Sequence, residues 1–280
     1  TISDLQLLEE YERILGLNYK VGVDGISVPL ILLTTSIMPL VIISSWSIEK
    51  KVKEYILNLN YDLVKSMRLW NGWGNENSEL TMELNDGLRA LLEALVGPGT
   101  SLNQATLKEV ISKVPASRLD DHSLIKTDPE TRVRHARGQS LPDWLDMHSG
   151  NVDTFPDGVA FPESAEQVRE LLAYARENNL VVIPYGGGTS VVGHINPMKS
   201  DRPILTIDMG KMSSLLSIDT ESQLATFGAG TPGPVVEETL KKHGYTLGHF
   251  PQSWELSTLG GWVASRSSGQ QSLHLSLIHI

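Results

Sequence analysis

The sequence predicts an α+β fold, with a helical N-terminal region and one transmembrane helix ahead of it. Three observations carry this prediction. A strand, a helix and a second strand lead into a glycine loop at residues 184–190. Two capped helical segments lie upstream of that unit. An uncharged apolar run occupies residues 28–46.

The α+β unit is written in spacing. A short strand is expected at residues 159–161. Ser164 and Gln167 then stand at capping-box distance. Val168, Leu171, Leu172 and Ala175 recur at helical intervals, and Asn178-Asn179 suits a helix end. A second apolar run, Leu180-Val181-Val182-Ile183, leads into Pro184-Tyr185-Gly186-Gly187-Gly188-Thr189-Ser190. Glycine lets a backbone approach a ligand with no Cβ in the way, and successive N–H groups then converge on an anion. Thr189 and Ser190 add hydroxyl donors. The spacing is not GxGxxG, and no Lys follows as in a Walker loop. The residues alone leave two readings open, a phosphate cradle and a structural turn.

Downstream, residues 204–208 read as a strand. Residues 215–219 and 223–227 flank a polar turn as a hairpin. Gly228-Ala229-Gly230 is a second glycine turn. Residues 234–243 form an amphipathic helix that stops at Gly244. Its Glu237/Lys241 and Glu238/Lys242 pairs read as solvated surface. The next segment, Gln252-Ser253-Trp254-Glu255-Leu256-Ser257-Thr258, is polar and hydroxylated. Ser257 or Thr258 suits the cap of a helix from Leu259, with Gly260 and Gly261 in its first turn and free N–H groups at its start.

Upstream, residues 86–96 form a helix ending at Gly97-Pro98. Residues 106–114 form another, with Thr106 and Glu109 as a capping box and Pro115 as its stop. Trp70 and Trp73 are expected to anchor this region to the main body. Arg132, Arg134 and Arg137 cluster around His135; contact with a phosphate and a solvated basic segment both remain open.

Residues 28–46 span about 19 positions without a charge, the length of a membrane-crossing helix. Pro29 and Pro39 are tolerated in such helices, Trp46 suits an interface, and Lys50, Lys51 and Lys53 place that end inside.

Two resemblances sharpen this picture. Residues 184–197 and 250–272, with 134–140 and 155–168, resemble the FAD-binding (PCMH-type) domain of the vanillyl-alcohol-oxidase superfamily, in particular the alkyldihydroxyacetonephosphate synthases. The resemblance runs from about Met67 to Ser272. It implies that Pro184, Tyr185, Gly186, Gly187, Gly188, Thr189 and Ser190 wrap the FAD pyrophosphate. It assigns Gln252, Ser253, Trp254, Glu255, Leu256, Ser257 and Thr258, with Ser265, Arg266, Ser267 and Ser268, to the flavin's other side. Arg266 is a candidate phosphate or substrate contact. With Thr189 and Ser190 where some members carry a tethering His, and His194 beyond them, FAD is expected to be non-covalent. The family exchanges the acyl chain of acyl-dihydroxyacetone phosphate for a fatty alcohol, in ether-lipid synthesis. An FAD-linked 2-hydroxy-acid oxidase shares the loop and is the alternative. No catalytic residue is assigned, because the family's cap and C-terminal regions lie beyond residue 272. The chain as it stands is therefore expected to be inactive and to bind FAD weakly or not at all.

The second resemblance covers residues 1–57. Leu17-Asn18-Tyr19-Lys20-Val21-Gly22-Val23-Asp24-Gly25-Ile26-Ser27 and the apolar run after it resemble NADH dehydrogenase subunit 4 of complex I. The expected organisation is thus 1–57 membrane segment, 58–66 junction, 67–150 N-terminal flavoprotein region, 151–272 FAD-binding domain and 273–280 an adapter-like tail. A chimeric, non-functional fragment and a membrane-tethered binding module are the readings from other classes. The expected partners are FAD, a lipid-like phosphorylated substrate and, through residues 28–46, a membrane. The flavoprotein part is expected in the cytoplasm or peroxisome.

Composition bounds the rest. With 280 residues, net charge −10, 40% hydrophobic residues and no cysteine, the chain is globular. The acidic balance argues against a nucleic-acid partner, and the absence of cysteine removes thiol nucleophiles and Cys–zinc sites. No metal is expected.

Overall fold

Three parallel strands and one antiparallel neighbour build the sheet that carries the glycine loop. The computed structural model describes residues 67–76, 85–101 and 103–269. The chain divides after Ser66, and the unit described here begins at Met67. The sheet order is β1 (Ile125–Lys126), β2 (Gly158–Ala160), β4 (Ile204–Asp208) and β3 (Val181–Tyr185). Only β1 runs antiparallel, against β2. β4 is central, with Val159 opposite Thr206 on one side and Ile183 opposite Thr206 on the other.

Parallel strands need a crossover. Between β2 and β3 it is α5 (Ala165–Glu177), capped by Ser164, whose hydroxyl accepts from Gln167 N. Its other end closes at Asn178, and Asn179 takes a left-handed φ of 52°. Of the periodic apolar positions, Leu171 and Ala175 are buried and Leu172 is exposed. Period-2 alternation along β4 divides two layers. Leu205 and Ile207 join Leu171 and Ala175 in one cluster, while Ile204 joins Ile183 and Ile195 in another. Ile195 belongs to the non-helical crossover of residues 186–203, so the segment that starts as the glycine loop also covers a sheet face. Burying each of these aliphatic side chains is worth about 1.5–3 kcal/mol.

Among the described residues, four helices precede β2. They are α1 (Asp86–Val96), α2 (Leu107–Ile111), α3 (Pro129–Arg134) and α4 (Leu141–Ser149). α2 carries the expected Thr106/Glu109 capping box, and α4 a second one from Ser140 and Asp143. Val110, Val133, Ala136, Met147, Val152 and Phe155 form a core under α2, α3 and α4, with Trp70 and Trp144 packed on it, while α1 has no buried residue.

The arginines of this region are neither solvated nor free for a phosphate. Arg132 is 1% exposed and donates to Pro156 O (2.6 Å) and Pro115 O (2.7 Å). Arg137 donates to Ala136 O, Thr154 O and Asp153. Arg134 pairs with Glu76 and Glu130, each at 2.9 Å. They are internal staples, in which carbonyls and carboxylates absorb the guanidinium donors.

Arg118 does similar work at the strand edge. It meets Asp157 through Nε and Nη2, each at 2.8 Å, and Asp157 also accepts from Ile204 N. Burial pushes the Asp157 carboxyl up, but the bonds from Arg118 and Ile204 and the Arg118 charge outweigh it and hold it below the usual carboxylate value. A depressed carboxyl stabilises the fold above its unfolded value of about 4, and that contribution is lost as pH falls through the lower folded value. Thermal unfolding is therefore expected to show an acid-side loss below about pH 4 that Asp157→Asn flattens. An unchanged acid limb in the variant would remove Asp157 from this role.

After β4, a 3-10 turn (Met209–Lys211) leads to the hairpin β5 (Leu215–Asp219) and β6 (Leu224–Phe227), then α6 (Gly233–Lys242) and α7 (Leu259–Ser265). Glu238 and Lys242 form the expected exposed pair at 3.1 Å. Glu237 departs from expectation. It is 5% exposed and accepts from Thr246 Oγ1, Leu247 N and Gly248 N, so its carboxylate ties down the segment after α6.

The fold-class expectation needs one correction. No helix among the described residues is long and apolar enough to cross a membrane. The longest, α5, has 13 residues and charged side chains. It spans about 20 Å, short of a hydrocarbon core of about 30 Å. The apolar run at 28–46 lies outside the described residues, as do the complex-I-like segment, the junction and the tail after 269. The transmembrane helix is accordingly not part of the fold class, which is α+β.

Candidate functional site

The glycine loop leaves the C-terminal end of β3, where ligands of open parallel sheets gather. It lies directly against the second predicted segment. A Cβ at Gly186 would collide with Thr258 Oγ1. One at Gly187 would collide with Leu256 O and lie 2.7 Å from Ser257 Cα. Gly188 has φ +66°, and its missing side chain makes room for the Tyr185 hydroxyl. At Gly187 the close approach is backbone to backbone, which only glycine permits. Two stretches about 70 residues apart in sequence thus pack directly against one another, the glycine loop as one wall and residues 256–258 as the other.

The loop's donors are open. Among the described residues, no protein acceptor takes the backbone N–H of Gly187, Gly188, Thr189 or Ser190. Gly187 and Gly188 are buried. Buried N–H groups are costly when unpaired. Consecutive unpaired donors in a glycine turn are the arrangement that receives an anion. The residues present therefore fit a diphosphate.

The start of α7 is different. Thr258 is its N-cap, as expected, and its hydroxyl accepts from Gly261 N. Leu259 N donates to Thr231 O (2.9 Å) and Gly260 N to Ala229 O (2.8 Å). The first-turn donors expected to be free are spent inside the protein. What α7 contributes instead is a wedge: Trp262 is 1% exposed, and its Nε1–H donates to Ser257 Oγ at 2.6 Å, fixing the wall from behind.

The other predicted residues divide by position. Gln252 is exposed, and Ser253 O accepts from both Leu256 N and Ser257 N, closing the turn that carries the wall. The Trp254 indole packs on Gly233, where a Cβ would lie 2.6 Å from Nε1, and edge-on to Phe250. Its Nε1 is buried without a protein acceptor. The half-buried Glu255 carboxyl is pushed up by its burial. Pro184 is exposed on β3, paired in register with Ile207. Burial raises the Tyr185 hydroxyl to about 12, against the pull of the Arg68 charge. Ser265, Arg266, Ser267 and Ser268 lie at the far end of α7, about 10 Å along the axis from Thr258. Arg266 caps that end with φ 51° and is exposed. His194 is exposed, with Nδ1 3.1 Å from Ser190 Oγ.

Several contributors carry no signal in the sequence. Arg68 donates to both Gly187 O and Leu256 O, one carbonyl from each wall. Asn196 accepts from Gly138 N (2.9 Å) and donates to Asp143 (2.6 Å), and Gln139 N donates to Ser190 O (2.6 Å). These bonds seat the loop's far end on the turn before α4. The Ser140-to-Asp143 capping spacing is the readable trace of that turn.

Two stretches of the chain resemble known proteins. Residues 156–279 match the FAD binding domain, and residues 4–59 match the amino terminus of NADH-ubiquinone oxidoreductase chain 4. The chain is 33% identical over 245 residues to an alkyldihydroxyacetonephosphate synthase of Dictyostelium discoideum, covering 75% of this chain and 40% of the relative. A solved alkyldihydroxyacetonephosphate synthase superposes with TM-score 0.64 at 31% identity, covering 76% of this chain and 45% of the other. Over 53 residues, 19% of this chain and 10% of the relative, it is 51% identical to NADH-quinone oxidoreductase subunit M of Rhodobacter capsulatus. The chain thus spans about two fifths of the synthase from Dictyostelium discoideum. Residues 156–279 are thus similar to an FAD binding domain.

Proposed function

We propose that this chain holds the diphosphate of a non-covalently bound FAD on the N–H groups of Gly187, Gly188, Thr189 and Ser190. The wall from Leu256 to Thr258 packs directly against this loop. The single observation that carries the reading is the run of unpartnered donors in a loop whose glycines admit a second backbone. In this reading Thr189 and Ser190 add hydroxyl donors. Gln252, Ser253 and Glu255 flank the wall, and Trp254 supports it from the α6 side. Ser265, Arg266, Ser267 and Ser268 face a more distant part of the cofactor. The domain occupies residues 151–272, with residues 67–150 as its N-terminal region.

The chemistry proposed for the domain is that of the synthase relatives: ether-bond formation on a lipid-like phosphorylated ketone, acyl-dihydroxyacetone phosphate. FAD supplies the electrophilic, redox-active ring when bound. The protein's own part in this region is to bind, orient and exclude water from the diphosphate.

The test is a titration of the 280-residue chain with FAD, ADP and riboflavin. FAD and ADP are expected to bind saturably and compete, with dissociation constants between about 1 μM and 1 mM (about −8 to −4 kcal/mol). Riboflavin, which lacks the diphosphate, is expected to bind far more weakly. Saturation by riboflavin with none by ADP would overturn the assignment.

A further inference from the structure

We propose that Arg68 is a positioning residue of the cradle, holding its two walls in register and aiming the loop's donors at the anion. The inference deepens the FAD reading and rests on it. Arg68 Nη1 donates to Gly187 O and Nη2 to Leu256 O. Those acceptors are 119 and 188 residues away in sequence, one on each wall. A guanidinium is a planar fork of fixed donors, so binding two carbonyls at once fixes the distance between them. An ammonium on a flexible stem does not.

The peptide plane supplies the second step. C=O and N–H point in opposite directions across a trans peptide. Holding Gly187 O on Arg68 therefore turns the Gly188 N–H to the other side. That N–H has no protein acceptor among the described residues. Arg68 thus acts through the loop rather than by touching the ligand.

Arg68 is itself firmly placed. Its own carbonyl accepts from Arg134 Nη1 at 2.8 Å, and Arg134 is held by Glu76 and Glu130. Arg68 pairs with Asn75 in an antiparallel bridge, with Leu69 N donating to Gly74 O and Glu76 N to Met67 O. No ion pair to a carboxylate forms at its guanidinium among the described residues. Its charge therefore also favours an anion at the loop.

The experiment compares Arg68→Ala and Arg68→Lys with the wild-type chain by amide hydrogen exchange and ADP titration. In Arg68→Ala, exchange at Leu256 and Ser257 in the free chain, and at residues 187–190 in the ADP-saturated chain, is expected to accelerate about tenfold, with β4 unchanged and ADP affinity down about tenfold. Arg68→Lys keeps the charge, so it is expected to recover part of the affinity and little of the exchange protection. Wild-type exchange at both walls of the alanine variant would overturn the proposal. So would a loss of protection spread equally over β4 and α5, the mark of a general fold staple. If Arg68→Ala does not fold, Arg68→Lys decides by the same two readouts. A wild-type chain that binds neither ADP nor FAD, with exchange still rising locally in the variant, would remove the FAD reading and leave the clamp.

Discussion

Gly187→Val is expected to push the loop and residues 256–257 apart and to weaken binding of both FAD and ADP by tenfold to a hundredfold, about 1.4–2.8 kcal/mol. The reason is steric. The new Cβ meets Leu256 O and Ser257 Cα, which are backbone atoms and cannot swing aside as a flexible side chain can. Overpacking of this kind costs about 1–3 kcal/mol of stability. The clash acts where the two walls touch, so binding suffers as well as stability. Gly99→Ala is the control. Nothing lies within 4 Å of a Cβ there, and its φ is not left-handed. That variant is expected to bind ADP as the wild type does. Equal affinity in Gly187→Val and wild type, measured on folded protein, would show that the ligand does not use this loop.

Trp262→Ala is expected to cause the largest loss of stability from one side chain in this region, about 3–5 kcal/mol. On a domain of this size that lowers the melting temperature by on the order of 10 °C. Trp262 heads the fully buried side chains by volume, and it packs edge-on to His249. Two costs add. The cavity forfeits its packing, and Ser257 Oγ loses its indole donor. Trp262→Phe separates them, because it keeps most of the volume and removes the donor. It is expected to recover more than half of the stability lost in Trp262→Ala. A Trp262→Phe variant as unstable as Trp262→Ala would show that the hydrogen bond stabilises this wall more than the packed volume does.

The sheet unit is readable because its signals are local. Ser164 at capping distance from Gln167, the apolar period of α5, the run into Pro184 and the polar turn between β5 and β6 each lie within one window. Leu171 and Ala175 sit on the face their spacing predicts. The short helices α3 and α4 escape such a reading, since six to nine residues give too little periodicity to stand out. Charge misleads more than apolar pattern does. Arg132 and Glu237 look like surface residues in sequence, yet both are buried among partners that only the fold brings near. The start of α7 misleads for the same reason. Gly260 and Gly261 suggest free helix donors, yet Leu259 N and Gly260 N are consumed by carbonyls of Thr231 and Ala229 in a distant turn. Arg68 leaves no trace because its meaning lies in two carbonyls far along the chain.

The central claim is that the glycine loop, and not the start of α7, receives the diphosphate. Amide resonances followed through the ADP titration test it directly. Gly187, Gly188, Thr189 and Ser190 are predicted to shift together and saturate with one dissociation constant, while Leu259 and Gly260 stay still because their N–H groups already hold carbonyls. Saturating shifts at Leu259 and Gly260, with the glycine loop unmoved, would contradict it.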